Sequence, residues 1–545
     1  MIHYIMKHKL TEGTTGYFRP VPRTEPELDE TLRLCRQYPE DSFLRAWLIE
    51  KILNLADEKK RQASLKADSF LLHALKEAEH ALGTNENLIK NEEVPGFSPL
   101  AYLRISIHPE NRIWIDFAAK NILHLHFPEK LPETAPHTLS GPKLRKNPTP
   151  IAAIPPRELP SPHVPSLRDL FYAAMEQLKN EGLLMESERR HTASLSPFAI
   201  LRQWDLDRIV EIPGYTHRLT GLQTSYGRGL DLETARVACL MEAAERITAF
   251  AGVSEGEVAD RKEKTPLQRA SFAELSRKKV NTLNPAKLLL EAPMPEATSL
   301  WWMPGEEITQ EGKRECLVPA QCVLLFANLP EPQLFTALGS TGFASGSSEE
   351  GARLSGLLEV IERDADATMP HNPIRCFRIR SKDPAISGLL EAYAKQGVHP
   401  FFEDITSEFG IPAYRCLVFG ENTVSRGTGC HLCGKKALVS ALTETPWPFS
   451  GPPSQEIPFS LPERDLENLP DFSSGNPAMD LDRVERCLLA NGYMPIHVPL
   501  TRKDLRIPVV RSIIPGLEIL GDFDRFSTVN RRLYTRYQQV FDNRP

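Results

Sequence analysis

Two segments of this chain carry the same residue pattern, in which apolar positions surround two glutamates and an arginine. The first runs from Ala235 to Arg246 and the second from Ala352 to Arg363, and both read Ala-Arg-hydrophobic, four further residues, then Glu-x-x-Glu-Arg. Residues three apart on a helix lie on one face, and a helix that is apolar around most of its circumference is usually buried. The duplication therefore predicts two matched, buried helices whose acidic stripes meet at one site, with the surrounding fold built from pseudo-repeated halves.

The paired glutamates predict a cation site. Glu242, Glu245, Glu359 and Glu362 would raise one another's pKa values in a shared cleft unless cations neutralise them. Mg²⁺ is the natural partner, because it takes hard oxygen ligands and bridges carboxylates to nucleotide phosphates. The alternative for one such segment is a solvated helix face with an i,i+4 ion pair that contributes about 0.2–0.5 kcal/mol. Two matched copies within apolar helices favour the shared site.

The two motifs, in this order, resemble those of the YcaO family. The resemblance spans roughly residues 185–545. It is carried by Gly227-Arg228-Gly229 with the first glutamate motif, by the second motif with Asp364-Ala365 after it, and by the segment from Pro508 to Glu518 that contains Pro-Gly-Leu-Glu. It implies an α/β domain (α+β, with a mixed sheet). Such a domain would bind ATP with Mg²⁺ and act on peptide backbone amides, phosphorylating the amide oxygen after a nucleophile has attacked.

The resemblance also implies roles for individual residues. The metal and the nucleotide would be held by Glu242, Glu245, Glu359 and Glu362. Phosphate charge would be stabilised by Arg363 and Arg246, and Arg228 in the glycine turn would reach phosphate or substrate. The nucleophile is a substrate Cys, Ser or Thr side chain in azoline formation and an external sulfide in thioamidation. The partners would be a peptide or protein substrate, an adenylating-type or sulfur-delivering protein, and a second copy in a homodimer.

Some positions depart from the family pattern. Smaller side chains replace polar or charged ones at five of them: Ala238, Ser347, Gly351, Ser355 and Ser440. Glu349 or Glu350 is a candidate substitute for the carboxylate missing at position 351, although one residue of displacement rotates a helical side chain by about 100°. Two hypotheses follow: an ATP-dependent enzyme that activates backbone amides, or a degenerate YcaO-like module that holds a peptide or partner for another enzyme.

Composition excludes several other classes. The net charge of −6 provides no basic field for nucleic acid or for an anionic membrane. No apolar run approaches the 18 residues of a membrane span, and the first residues do not read as a secretory signal. The nine cysteines are scattered and odd in number, which is typical of reduced thiols in a cytoplasmic protein.

The chain is expected to divide at a proline-rich stretch. Eleven prolines lie between Pro128 and Pro165, a density that favours an extended, semi-rigid linker. Residues 1–127 are predicted to form an all-helical N-terminal domain, with helices over 42–57, 60–82 and 110–125. Residues 166–545, where helical and strand-like segments alternate, are predicted to form the YcaO-like domain.

Two further motifs have alternative readings. Cys430-His431-Leu432-Cys433 matches a zinc or redox Cys-x-x-Cys, but no second pair lies at zinc-site spacing, so incidental placement is favoured. Trp301-Trp302 forms an aromatic cluster that either stacks on a ligand or packs in the core, and core packing is favoured.

Overall fold

The computed structural model describes most of the chain. The described residues are 1–10, 16–53, 109–183, 187–290, 296–331, 334, 339–420, 423–447, 460–519, 521, 523 and 527–542. The predicted helix over 60–82 lies outside them.

Helices and strands alternate through most of the described chain. The α-helices are α1 (Leu28–Gln37), α2 (Ser42–Leu53), α3 (Pro109–Ala118), α4 (Leu167–Asn180), α5 (Leu232–Ala249), α6 (Phe272–Arg277), α7 (Glu349–Thr368), α8 (Pro384–Ala394), α9 (Gly434–Glu444), α10 (Pro477–Ala490) and α11 (Arg531–Asp542). The strands are β1 (Ile2–Leu10), β2 (Gly16–Pro22), β3 (Arg189–Arg190), β4 (Phe198–Ile212), β5 (Tyr215–Gly229), β6 (Val253–Ser254), β7 (Glu257–Val258), β8 (Gln268–Ser271), β9 (Ser299–Thr309), β10 (Gly312–Pro319), β11 (Phe343–Ser345), β12 (Cys376–Arg380), β13 (Phe401–Asp404), β14 (Ala413–Phe419), β15 (Val424–Cys430), β16 (Glu463–Asp465), β17 (Ile496–Pro499) and β18 (Val509–Ile513).

Three sheets form the framework. The first has the order β2-β1-β5-β4-β6-β7, with β3 on β4. The second has the order β10-β9-β17-β18-β11, with β8 on β9, and the third has the order β15-β14-β13-β12-β16. The β1–β5, β4–β6 and β12–β16 pairs are parallel, whereas the hairpins within each sheet are antiparallel. The prediction of a mixed α/β architecture is confirmed.

The first residues of the chain correct the prediction of an all-helical N-terminal domain. Strands β1 and β2 form a hairpin, and Ile2–Ile5 pairs in parallel with residues 217–220 of β5. Tyr4 and Met6 are buried, so alternate side chains of β1 point into the core, as the period of two of a strand requires. The Tyr4 hydroxyl donates to Asp41 at 2.5 Å, which ties this hairpin to the start of α2. The prediction is wrong for residues 2–10 and 16–22 because this alternation favours a strand.

The predicted helices that follow the hairpin are present where the chain is described. Asp41 caps α2, since its carboxylate accepts from the backbone N–H of Leu44 at 3.0 Å. Helix α3 continues into a π-helical turn at Ala119–Leu123 and packs on α11, with the rings of Trp114 and Tyr534 4.9 Å apart.

The proline-rich stretch is extended and packed along the domain. The N–H of Ile151 donates to the Phe409 carbonyl at 2.7 Å, and the side chain of Ile151 is fully buried in a cluster with α7 and α10. Arg483 of α10 donates to the Ile154 carbonyl at 2.9 Å. This stretch is therefore held by the domain over residues 149–155, while the predicted boundaries at 127/128 and 165/166 stay predictions.

Helix α7 lies between layers. It contacts β18, β11 and β15 on one side and α10 and α11 on another, while α5 packs on β4 and β5 and α9 packs on β14 and β15. Among the described residues, no helix combines the length and the apolar character needed to cross a membrane.

Candidate functional site

Helix α5 carries the first glutamate stripe and begins at a side-chain cap. The Asp231 carboxylate accepts from the backbone N–H of Thr234 at 2.8 Å, which satisfies one of the free donors of the first turn. Strand β5 lies directly against this helix, because a Cβ added at Gly227 would sit 2.0 Å from the Ala235 carbonyl oxygen. Only glycine permits this approach, so the glycine turn noted in the sequence sets the position of the stripe.

Helix α7 carries the second stripe and is held in the same way. Ser348 caps it by accepting from the N–H of Gly351 at 3.1 Å. A Cβ at Gly356 would lie 2.7 Å from the Ser512 hydroxyl and 2.8 Å from the Gly342 carbonyl, so the lack of a side chain there lets α7 pack closely against β18 and the chain before β11.

The two stripes face each other across a common cleft. Glu359 of α7 is near enough to Glu245 of α5 to raise the pKa of that carboxyl by like-charge repulsion, and Arg246 of α5 lowers the pKa of Glu359. The Ser345 hydroxyl of β11 donates to the Met241 carbonyl at 2.9 Å, which joins the strand before α7 to α5. The structure therefore brings together the two segments that the sequence pattern paired.

A third helix completes the cleft. Glu444 at the end of α9 pairs with Arg228 of β5, and the Thr428 hydroxyl of β15 donates to Glu362 at 2.7 Å. We call Glu242, Glu245, Glu359, Glu362 and Glu444 together the glutamate cleft. Neither Thr428 nor Glu444 was among the site residues predicted from the sequence. The missed signal is Gly427-Thr428-Gly429, which repeats the glycine spacing of 227–229.

The close packing of β15 on α9 also repeats that of β5 on α5. A Cβ at Gly427 would lie 2.5 Å from the Ala441 carbonyl, and one at Gly429 would lie 2.2 Å from the Ala437 carbonyl. In both hairpins the residue between the glycines, Arg228 or Thr428, therefore points away from its own helix and reaches a carboxylate carried by another one.

Each glutamate of the two stripes has one fixed partner and remains partly open. Glu242 accepts from the Tyr226 N–H at 3.0 Å, and Glu359 accepts from the Gly342 N–H at 3.1 Å. Glu245 accepts from Arg246 at 2.7 Å. The side chains of the inner pair, Glu245 and Glu362, are 13% exposed, against 29% for Glu242 and 27% for Glu359.

Burial disfavours the charged form of all four carboxylates. It raises the pKa of Glu245 to about 8 and that of Glu362 to about 7, and it also raises the pKa values of Glu242 and Glu359. The neighbouring arginines oppose this effect, and Glu359 adds to the rise at Glu245 by like-charge repulsion. Near neutral pH the protein by itself thus does not keep its inner carboxylates fully ionised.

Four arginines surround these carboxylates. Arg246 and Arg363 follow their glutamates, with Arg363 3.8 Å from Glu362, and Arg228 reaches in from β5. The fourth arginine, Arg511 of β18, was not predicted from the sequence. Its side chain is buried, donates to the Gly339 carbonyl at 3.1 Å and lies over the Phe343 ring. Burial lowers the pKa of Arg511 to about 10, a value at which it still carries its charge at neutral pH.

This donor set fits a metal-bound polyphosphate. Carboxylates are the ligands that Mg²⁺ prefers, and a bound cation would favour the charged form that burial disfavours here. In the described part of the chain, three potential metal-binding atoms come within 4.8 Å of one another only at His371, Cys376 and Glu403. The glutamates are thus spread more widely than a bare ion requires, and the arginines add the charge that phosphates need.

Position 351 does not receive its missing carboxylate from Glu349. Glu349, suggested as a substitute for the carboxylate missing at position 351, is bound by Arg353 at 3.0 Å, and Arg353 lies half a helix circumference away from Glu362. That suggestion is therefore wrong for Glu349. A Cβ at Gly351 would meet only the Ser348 hydroxyl within 4 Å, so this position opens onto free space.

The other two motifs lie in the packed interior. Cys430 is buried, and burial raises the pKa of its thiol well above the usual value, while the backbone N–H of Cys433 donates to His431. Trp302 is fully buried and donates to the Ala270 carbonyl at 2.8 Å. Neither motif contributes a group to the glutamate cleft.

Comparison with known proteins adds independent findings. Residues 226–446 match the family model described as YcaO cyclodehydratase, ATP- and Mg²⁺-binding. The chain is 30% identical over 334 residues to an uncharacterized protein of Methanothermobacter thermautotrophicus, covering 54% of this chain and 82% of the relative. It is 26% identical over 346 residues to an uncharacterized protein in the tfuA 3′ region of Rhizobium leguminosarum bv. trifolii, covering 56% of this chain and 78% of that relative.

A solved structure shares the fold. A heterocyclase in complex with substrate and cofactor superimposes with a TM-score of 0.51 and 18% sequence identity over 67% of this chain. This chain spans 55% of the length of that heterocyclase.

Proposed function

Because this chain belongs to the YcaO family, we propose that it uses ATP with Mg²⁺ to activate a backbone amide of a peptide or protein. The observation that carries this proposal is the glutamate cleft, where four part-buried carboxylates on α5 and α7 have raised pKa values and lie among arginines. Divalent cations would favour the charged form of these carboxylates, and a polyphosphate would use the arginines. The cofactors predicted from the sequence agree with the description of the matched family model.

The residues of the cleft divide into two roles. Glu242, Glu245, Glu359 and Glu362 would hold Mg²⁺, which when bound neutralises phosphate charge. Arg246 and Arg363 would stabilise the charge that develops on the transferred phosphoryl group, and their guanidinium groups are already oriented by Glu245 and Thr428. Groups oriented in advance act without reorganisation during the reaction, which is the main source of electrostatic catalysis.

The substrate chemistry has two branches. A Cys, Ser or Thr side chain of the substrate that attacks its own backbone carbonyl leads to an azoline, and external sulfide leads to a thioamide. In both, the amide oxygen takes the phosphoryl group and leaves as phosphate. The sulfide branch needs a sulfur-delivering partner, and proteins encoded beside this chain are the first to test, since one relative lies in a tfuA 3′ region.

Calorimetry with Mg-ATP tests the nucleotide site. The wild-type chain should bind, and Glu359→Gln/Glu362→Gln should not, because two metal-binding carboxylates become amides of nearly the same shape. Glu391→Gln, which changes an exposed carboxylate on α8, is the matched control and should bind normally. Absence of both heat and a melting-temperature shift for the wild type at millimolar Mg-ATP would remove the proposal.

Isotope transfer tests the chemistry. A substrate peptide whose backbone amides carry ¹⁸O should transfer that label to the phosphate released from ATP, because the amide oxygen leaves with the phosphoryl group. Release of unlabelled phosphate would indicate hydrolysis of ATP by water instead.

A binding module without ATP chemistry is the second candidate. It is favoured by the open space at Gly351 and by the pairing of Glu349 with Arg353, which engages one of the two candidate substitutes for the missing carboxylate. This candidate predicts peptide binding that is unchanged by Mg-ATP and by Glu359→Gln/Glu362→Gln. The enzyme predicts that ATP is consumed when peptide is present.

A further inference from the structure

A second cavity lies between the proline-rich stretch and the loops at the end of the chain, and the proposed function does not use it. Its volume is about 460 Å³, within the usual range for sites that bind small molecules. We call it the strap pocket, because residues 141–145 of the proline-rich stretch form one wall. Its other walls come from residues 282–289, 491–494 and 515–516.

The strap pocket is on the far side of α7 from the glutamate cleft. Asp364 follows Glu362 by two residues, which is about 200° around a helix. Its carboxylate accepts from the backbone N–H of Glu518 at 2.7 Å and thereby holds the loop that contains Gly516. A ligand in this pocket would therefore occupy a different site from a nucleotide in the cleft.

The charge of the lining is positive. Lys143, Arg145 and Lys287 line the pocket, against a single carboxylate, Glu307. Glu307 is already neutralised by Arg314 at 2.5 Å. Within the described residues, neither lysine has a carboxylate within salt-bridge distance, in a chain whose net charge is −6. All three cations are solvent-exposed, and Arg145 also donates to the Ala490 carbonyl, so the lining carries a net positive charge that an anion would complement.

The walls are fixed by backbone contacts. The N–H of Gly516 donates to the Lys287 carbonyl at 2.8 Å, and the amide of Asn491 both donates to and accepts from the backbone of Thr149. Leu289 has a φ of 53°, a left-handed conformation that is costly for a leucine. Its side chain packs against Gly141, where a Cβ would lie 3.2 Å from the leucine. The pocket is thus preformed.

We propose that the strap pocket binds a small organic phosphate. Lysines provide mobile point charges suited to phosphate, and Arg145 adds a third cation. The apolar surface of Tyr493, Met494 and Leu289 would contact the carbon skeleton of the ligand. Its anion would lie between the strap and the 282–289 segment, since Lys143 and Lys287 line the pocket from different walls.

Lysine acetylation read by mass spectrometry tests the proposal on the full chain. The probe is ribose 5-phosphate, which has no nucleobase, compared with citrate and with sodium chloride at equal ionic strength. Ribose 5-phosphate should reduce acetylation of Lys143 and Lys287 several-fold and leave Lys395, the residue that follows α8, unchanged. The site would be overturned if ribose 5-phosphate did not protect Lys143 and Lys287 from acetylation. It would also be overturned if Lys395 were protected equally, or if sodium chloride alone gave the protection. Equal protection by citrate would overturn its assignment to phosphate.

Variants separate this site from the cleft. Lys143→Gln/Lys287→Gln should weaken binding of ribose 5-phosphate in calorimetry roughly a hundredfold, about tenfold for each charge-assisted contact, and should leave Mg-ATP binding unchanged. Glu359→Gln/Glu362→Gln should do the reverse. Loss of sugar-phosphate binding in the glutamate variant alone would place the probe in the cleft and overturn the proposal.

Discussion

Neutralising the innermost glutamate should stabilise the protein when no metal is present. Glu245 is the carboxylate that burial affects most clearly: its pKa is about 8 instead of 4.5. One pKa unit corresponds to 1.36 kcal/mol, so ionised Glu245 costs the folded state roughly 3–5 kcal/mol. This value already includes the attraction of Arg246, which lies 2.7 Å away. Glu245→Gln keeps the shape of the side chain and removes this cost.

The effect should depend on pH with a definite sign. A carboxyl group whose pKa is higher in the folded than in the unfolded state binds more protons when folded. Its penalty is therefore absent below about pH 4.5, grows between pH 4.5 and 8, and is complete above pH 8. Glu245→Gln should unfold like the wild type at pH 4.5 and be more stable than it at pH 8 by about 3–5 kcal/mol.

Urea unfolding in the presence of EDTA measures this difference. Glu391→Gln on α8 is the control, because its carboxylate is exposed and its removal should leave stability unchanged within about 0.5 kcal/mol. Adding Mg-ATP should stabilise the wild type and not Glu245→Gln. The difference in unfolding free energy between the two proteins at pH 8 should therefore close or reverse. A variant that is no more stable than the wild type at pH 8, or whose advantage does not shrink at lower pH, would refute the reasoning from burial.

Three further predictions follow from the same geometry. Mg-ATP affinity should rise from pH 6 to pH 8 with release of roughly one proton at pH 7, because Glu245 and Glu362 must ionise. Calorimetry in buffers of different ionisation enthalpy measures the proton release. Binding heats that do not depend on the buffer would contradict the prediction. Thr428→Val should weaken Mg-ATP binding about five- to tenfold without loss of folding, since it removes the hydroxyl that donates to Glu362, and an unchanged Kd would exclude a role for that hydroxyl. Gly227→Ala should destabilise the chain by more than about 3 kcal/mol, since its Cβ would collide with backbone, whereas Gly388→Ala, with nothing within 4 Å, should be neutral or stabilising; equal melting temperatures for the two variants would refute the packing argument.

The sequence predicted those parts of the site that depend on local pattern. The glutamates of α5 and α7 could be found because helical periodicity places residues three apart on one face and because caps such as Asp231 mark helix starts. The error at the N-terminus has the opposite origin. Strand β1 contributes only a few alternating residues, and besides its hairpin with β2 it pairs with β5, more than two hundred residues later in the chain.

The two acidic helices and the mixed α/β class were predicted from the amino-acid pattern and its resemblance to the YcaO family, because capping and helical periodicity act over a few neighbouring residues. Only the tertiary structure decided that Thr428, Glu444 and Arg511 join the cleft, and that the proline-rich stretch closes a second pocket. Contacts such as Arg228–Glu444 join segments with no shared local pattern. They form only when the sheets pack, and no local pattern in the sequence predicts which distant residue will be the partner.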